Sequence, residues 1–158
     1  MHPRRAFLFE HPAHLIAFGF GSGLMPKAPG TWGTLVGIPF YFVAFHLGGF
    51  PAALASAAAL FGVGIWASSR AGRALGVADH GGIVIDEIAA CVLVLTFTPT
   101  GIWWFASAFA LFRLFDITKP WPIRHFDRTL KGGFGVMFDD FLAAIAAIAI
   151  LRVLRSFL

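Results

Sequence analysis

The sequence predicts an all-α fold: a small integral membrane helical bundle of about five membrane-embedded helices with an interfacial N-terminal segment. The prediction has three grounds. Of 158 residues, 58% are apolar and 13% charged, and the mean hydropathy is +0.80, too apolar for a soluble domain of this size. The apolar residues gather in five runs, roughly Thr34–Phe50, Ala52–Ser68, Ile83–Phe97, Gly101–Ile117 and Phe138–Leu151, most of them slightly short for a straight span. Nearly everything polar falls in the three longer links, Gly19–Gly33, Arg70–Gly82 and Thr118–Gly135. Spans of about 20 residues each use up most of this length, so one domain covering residues 1–158 is expected.

At the N-terminus, Arg4 and Arg5 precede a stretch interrupted by Glu10, His11, Pro12 and His14. It lacks the clean apolar core and cleavage site of a signal peptide, so a retained interfacial helix is expected. The link GFGSGLMPKAPGTWGTL, Gly19–Leu35, is glycine-rich and carries Lys27. It superficially resembles a phosphate cradle, but it has no Gly-Lys-Ser/Thr triplet, and Gly19, Gly21 and Gly23 make no dinucleotide fingerprint without a preceding strand. The other reading is a flexible entry loop with Thr31 capping the next helix.

The first run contains Gly37 and Pro39 and is the weakest helix of the five. GGFP near Gly48 and TPTG near Thr98 read as tight hairpin turns. The small residues of Ala52–Ala59 suit close helix packing. The single cysteine, Cys91, lies within an apolar run, which excludes an internal disulfide and a Cys/His metal site and leaves a buried, inert thiol.

The fourth run ends in LFRLFDITKPWP, Leu111–Pro122. Arg113 and Asp116, three residues apart, share a helix face; Pro120 and Pro122 stop the helix, with Lys119 at the break. Gly132, Gly133 and Gly135 supply a turn that delivers the chain into Asp139 and Asp140. Trp103, Trp104 and Trp121 suit interfacial anchoring, and His80 and His125 read as surface residues.

The net charge of +4 does not indicate a nucleic-acid binder, because the cations are dispersed between apolar runs; anionic lipid head groups account for them better. Alternating helices place the three links on one face. That face carries Lys27, Arg70, Arg73, Lys119, Arg124, Arg128 and Lys131, against Arg152 and Arg155 opposite, so it is expected to be cytoplasmic.

The acids fall at the same depth: Asp86 and Glu87 near the start of the third run, Asp116 near the end of the fourth, Asp139 and Asp140 near the start of the fifth. Carboxylates beside a hydrophobic span are costly to ionise without compensation, so their convergence implies a bound cation, partner cations, or both. Oxygen ligands without Cys or His favour Mg²⁺ or Mn²⁺ over Zn²⁺. Helix N-terminal capping would explain one acidic pair but not Asp116 at a helix C-terminus. Neighbours on a helix point about 100° apart, so neither acidic pair is expected to aim both members squarely at one centre.

PKAPGTWGTL (Pro26–Leu35), IVIDE (Ile83–Glu87), FRLFDITKPWPI (Phe112–Ile123) and GGFGVMFDD (Gly132–Asp140), in this order, resemble the phosphatidylglycerophosphatase A family. Ala90 and Ala144 depart from it, standing where a glycine is expected after each acidic pair. The resemblance implies a multi-pass enzyme of the bacterial inner membrane, with its site facing the cytoplasm. It would use Mg²⁺ to hydrolyse phosphatidylglycerophosphate to phosphatidylglycerol and inorganic phosphate, the last step of phosphatidylglycerol synthesis. On this reading Glu87, Asp116 and Asp140 are metal ligands, with Asp86 or Asp139 a further ligand or general base. Lys27, Arg113 and Lys119 bind phosphate oxygens, and Asp116 as nucleophile of an aspartyl-phosphate intermediate stays open. The signatures of cysteine phosphatases, haloacid-type phosphatases, phosphohistidine lipid phosphatases and CDP-alcohol transferases are all missing. The main rival is a small ion-coupled transporter or channel subunit using the same acids, which requires them near the bilayer midplane. A non-catalytic assembly partner would leave so many acids and cations without a purpose. The oligomeric state is not legible.

Overall fold

A computed structural model describes residues 5–157, and among these the chain is all helix and connection, without a strand. Two short helices, α1 (Arg5–Glu10) and α2 (Pro12–Ala17), open it. His11 caps α2 by accepting from the Ala13 amide at 3.1 Å, and Pro12 takes the first helical position, where its missing N–H costs nothing. A 3₁₀ segment, Gly19–Leu24, leads through the loop carrying Lys27 into α3 (Pro29–Leu75). Four more helices follow: α4 (Ile85–Phe97), α5 (Ile102–Thr118), α6 (Ile123–Thr129) and α7 (Gly132–Ser156).

Helix α3 is two arms joined at Gly48 and Gly49, whose backbone leaves helical geometry; Gly49 sits at φ 64°, a region open to glycine at little cost. The expected GGFP hairpin is therefore real. Along the first arm Gly33 meets Val84 and Gly37 meets Cys91; the turn brings Phe50 edge-on to Phe97, and the second arm returns to set Gly64 against Ile85 and Met137. The first arm stays helical through Pro39 despite the lost hydrogen bond, because its glycine face is pressed onto α4. An added Cβ at Gly37 would lie 2.7 Å from that of Cys91, so only glycine permits this approach.

Helix α4 is buried on every side, as an all-apolar sequence with two acids at its start requires once α3, α5 and α7 sheathe it. Helix α5 packs chiefly on α7 and meets the first arm through side chains, with Phe105 on Tyr41 near one end and Arg113 at Gly30 near the other. Helix α7 runs against the second arm, Gly133 on Ser69 and Phe141 on Phe61, so α4 and α7 point the same way. The three polar links consequently meet at one end: the Val84 amide donates to the Ala17 carbonyl at 2.8 Å, and Gly23 abuts Gly82.

Three expectations change. Pro29–Leu75 and Gly132–Ser156 are long and apolar enough to cross a membrane, but α4 and α5, at 13 and 17 residues, are not; at about 1.5 Å per residue α4 covers only about 20 Å. Thr31 is not the cap of α3, which begins earlier on Pro29 with Ala28 in the cap position. Helix α7 begins at Gly132 rather than Phe138. Its glycines lie inside the helix, where Gly133 lets it touch the Ile65 carbonyl, and Asp139 and Asp140 lie beyond its first turn. Helix capping therefore does not account for them. Ala90 and Ala144, the departures from the family pattern, are both buried in well-packed core.

Candidate active site

Asp86 and Glu87 occupy the first turn of α4 and Asp140 the third turn of α7. One carboxylate oxygen from each lies within 4.8 Å of the other two. Asp86 Oδ1, Glu87 Oε2 and Asp140 Oδ2 are buried without a hydrogen-bond partner. Buried charge without compensation is among the costliest arrangements a fold can contain, so this donor set fits a bound cation, and its all-oxygen character fits a hard one. Contrary to the expectation from helix geometry, Asp86 and Glu87 both reach one centre: the extra methylene of Glu87 makes up for the turn between neighbours.

Arg113 borders the triad from α5. Its Nη1 lies 3.6 Å from Glu87 Oε1 and pairs closely with Asp116, confirming the shared face expected of residues three apart. Asp116 also sits beside the Asp140 carboxyl. Of the three acids expected as ligands, Glu87 and Asp140 thus fall in the triad, whereas Asp116 stands at its edge in the grip of Arg113. The third triad oxygen comes from Asp86, anticipated as a further ligand or base.

Lys119 ends α5 at φ 42°, a left-handed conformation that turns the chain towards α6. Its Nζ pairs with Asp127 Oδ1 at 2.6 Å and closely with Asp139. Burial works to lower the Lys119 pKa, but the two carboxylates more than offset it and hold the ammonium above its ordinary value. The second oxygen of Asp139, Oδ1, is buried and unpaired. Lys27 is exposed on the loop before α3, and no ion pair to it occurs among the described residues. Of the three cations expected to bind phosphate, two are therefore neutralised by acids of the site, and an incoming anion must compete for them.

Two residues of the site have roles that the sequence did not show. Asp127 reaches Lys119 only because the chain folds back through α6. Gly30 belongs to the link that reads equally as a phosphate cradle or a flexible loop, yet it lies where an added Cβ would come within 2.1 Å of Glu87 Oε1 and 3.0 Å of Arg113 Nη1. It lets the two arms of the site approach.

The buried acids, the flanking cations and their arrangement at one end of a helical bundle can be compared with known proteins. The family model described as Phosphatidylglycerophosphatase A matches residues 15–155. The chain belongs to the phosphatidylglycerophosphatase A family. A phosphatidylglycerophosphatase A of Haemophilus influenzae is 45% identical over 149 residues, covering 94% of this chain and 91% of the relative. One from Escherichia coli is 43% identical over 145 residues, covering 90% and 83%. A protein of Bacteroides thetaiotaomicron, provisionally named a phosphatidylinositol-3-phosphatase, is 38% identical over 148 residues, covering 89% and 92%. No solved structure matches the chain. The family expected from the four ordered motifs is the one found, and each motif contributes a group to the geometry described above, the first through Gly30 rather than Lys27.

Proposed function

We propose that the chain hydrolyses the terminal phosphate of phosphatidylglycerophosphate at the Asp86, Glu87 and Asp140 site, releasing phosphatidylglycerol and inorganic phosphate with Mg²⁺ as cofactor. Family membership makes the chain a phosphatidylglycerophosphatase, a phosphoric monoester hydrolase of phospholipid biosynthesis. The observation that carries the location is the set of unpaired buried carboxylate oxygens, one from each of the three acids.

Asp86, Glu87 and Asp140 hold the ion, with Asp116 beside Asp140 completing the acidic wall. When bound, Mg²⁺ supplies neutralisation of phosphoryl charge and of the leaving oxygen. Arg113 and Lys119 take phosphate oxygens in exchange for their present carboxylate partners, and Lys27 meets the headgroup from the loop. Asp139, released from Lys119 by that exchange, accepts the proton of the attacking water. The water oxygen bonds to phosphorus as the bond from phosphorus to the glycerol oxygen breaks, and the proton taken up by Asp139 passes to that oxygen, which leaves as the alcohol. Asp86 as base and Asp116 as nucleophile are the alternatives that substitution separates.

The segments 29–47, 50–75, 85–97, 102–118 and 132–156 form one multi-pass domain in the bacterial inner membrane, the shorter α4 and α5 embedded within it, with the site facing the cytoplasm. This is supported by the lysines and arginines gathered at the site end and by exposed apolar residues such as Val43, Leu47, Val63 and Val153 along the long helices. An ion pathway through the midplane is not favoured, because the acids lie at one end of the bundle.

The deciding experiment is phosphate release from phosphatidylglycerophosphate in detergent micelles, with Mg²⁺ and with EDTA, beside phosphatidic acid and phosphatidylinositol 3-phosphate. Metal-dependent release selective for the first lipid is the expected result. Preference for the inositol lipid would favour the second reading, which the Bacteroides relative's name supports. No release from any of them by folded protein refutes the phosphatase reading.

A further inference from the structure

Beside the site, an apolar groove of about 360 Å³ lies between the first arm of α3, α4 and α5, lined among others by Thr34, Ile38, Phe42, Leu95, Phe105 and Phe112. Nothing in the hydrolysis described above uses it. Its polar atoms are turned away or weak: Thr34 Oγ1 donates back to the Gly30 carbonyl at 2.9 Å, leaving its methyl for the groove, and Cys91 offers only a thiol.

Two features identify its occupant. The groove starts beside the site, since Thr34, which lines it, is one helical turn from Gly30, where Glu87 Oε1 and the Arg113 guanidinium close in. It then follows the helix axes away from the acids. From Thr34 to Phe42 and from Phe112 to Ile102, at about 1.5 Å per residue, it is about 12–15 Å long, close to the hydrocarbon depth of one leaflet, about half of 30 Å. Its rim is open sideways, as Leu35, Phe42 and Ile102 are exposed.

We infer that this groove holds one acyl chain of the phospholipid substrate while the phosphorylated headgroup lies at Arg113 and the acidic triad. The inference rests on the phosphatase reading for the headgroup but not for the groove itself. A chain entering sideways from the leaflet needs no extraction of the lipid from the membrane, and it fixes the phosphorus at the depth of the carboxylates. Such fixing converts binding of the unreactive tail into positioning of the reacting group.

Ala106 lines the groove at its exposed rim, so Ala106→Trp fills it without displacing buried atoms; Ala110→Trp, exposed on the same helix but outside the groove, is the control. With long-chain phosphatidylglycerophosphate, Ala106→Trp is expected to lower kcat/KM roughly tenfold or more, the loss from excluding a few methylenes. Hydrolysis of the deacylated glycerol phosphodiester monophosphate should stay unchanged, and the control should match the unsubstituted protein on both. An equal loss on both substrates, or no loss on either, overturns the inference.

A second measurement stands apart from turnover: a long-chain phosphomonoester lipid bearing a mid-chain diazirine, photolysed with the protein in bilayer nanodiscs. Cross-links concentrated on Ile38, Leu95 and Phe105, and reduced by Ala106→Trp, support the groove even if no phosphate is released. Cross-links spread evenly over outward residues such as Val63 and Val153, or a groove shielded by a second copy of the chain, overturn it.

Discussion

Replacing Gly30 by alanine tests the site through a residue that does no chemistry. The new Cβ would lie 2.1 Å from Glu87 Oε1, where ordinary contact begins near 3.4 Å, so the Glu87 carboxylate must retreat by about 1.3 Å, the difference of the two. Arg113 gives way as well, its Nη1 and Nη2 being 3.0 and 3.1 Å from the same point. The backbone has no objection, since Gly30 is in the first turn of α3, and alanine is favoured over glycine in a helix by up to about 1 kcal/mol. The obstruction is the far end of a flexible side chain, so the fold survives and stability changes by about 1 kcal/mol or less. A displacement of about 1 Å at a catalytic group costs on the order of 100-fold. The expected result for Gly30→Ala is therefore a fall in kcat/KM of about 100-fold and a higher Mg²⁺ requirement, with unchanged helix content and a nearly unchanged melting temperature. The assay is phosphate release across a Mg²⁺ titration, with circular dichroism in the same detergent. Full turnover at unchanged Mg²⁺ dependence would refute the placement of Glu87 at the reacting centre.

Asp86→Asn, Glu87→Gln and Asp140→Asn should each cut turnover by about 100-fold or more while raising thermal stability in EDTA, because each removes a buried charge that lacks a partner without the ion; a variant with normal turnover and Mg²⁺ affinity is not a ligand. Asp116→Asn should abolish turnover in a folded protein, and normal phosphate release would remove it from the site. Lys119→Met leaves Asp139 and Asp127 without their cation; since the lysine is partly exposed, the expected destabilisation is about 1–2 kcal/mol, read by chemical or thermal unfolding. Partial burial works to raise the Asp127 pKa, but the Lys119 ammonium offsets it and holds the carboxyl below its ordinary value. This pair's stabilisation is therefore fully present above the unfolded aspartate value of about 3.9 and lost as pH falls through the lower folded value. Asp127→Asn should flatten that acid limb of the stability profile and shrink the alkaline limb as well, since Asp127 is one of the two carboxylates that hold the Lys119 ammonium above its ordinary value; an unchanged acid limb refutes the pairing.

The sequence by itself determined the helical class, the family and the end of the bundle at which the chemistry is gathered. Those follow from features a linear chain displays: apolar runs separated by polar links, glycine hairpins, and acids whose depth alternation brings level. The Arg113 and Asp116 pair was equally legible, because three residues on a helix is a fixed spacing. Only the tertiary structure decided which acids share a centre. Helix geometry alone argued against Asp86 and Glu87 meeting, yet side-chain length and the close seating of α7 on α4 bring both to Asp140. It also set Asp127 and Asp139 against Lys119, pairings that depend on where α5, α6 and α7 come to rest rather than on spacing. Gly30 shows the same limit: a loop-like glycine in sequence becomes, once α3 lies on α4 and α5, the gap into which Glu87 and Arg113 fit. Local pattern specifies each helix, but the distances that make a site are set by packing between helices, where a missing methyl group can count for more than a charge.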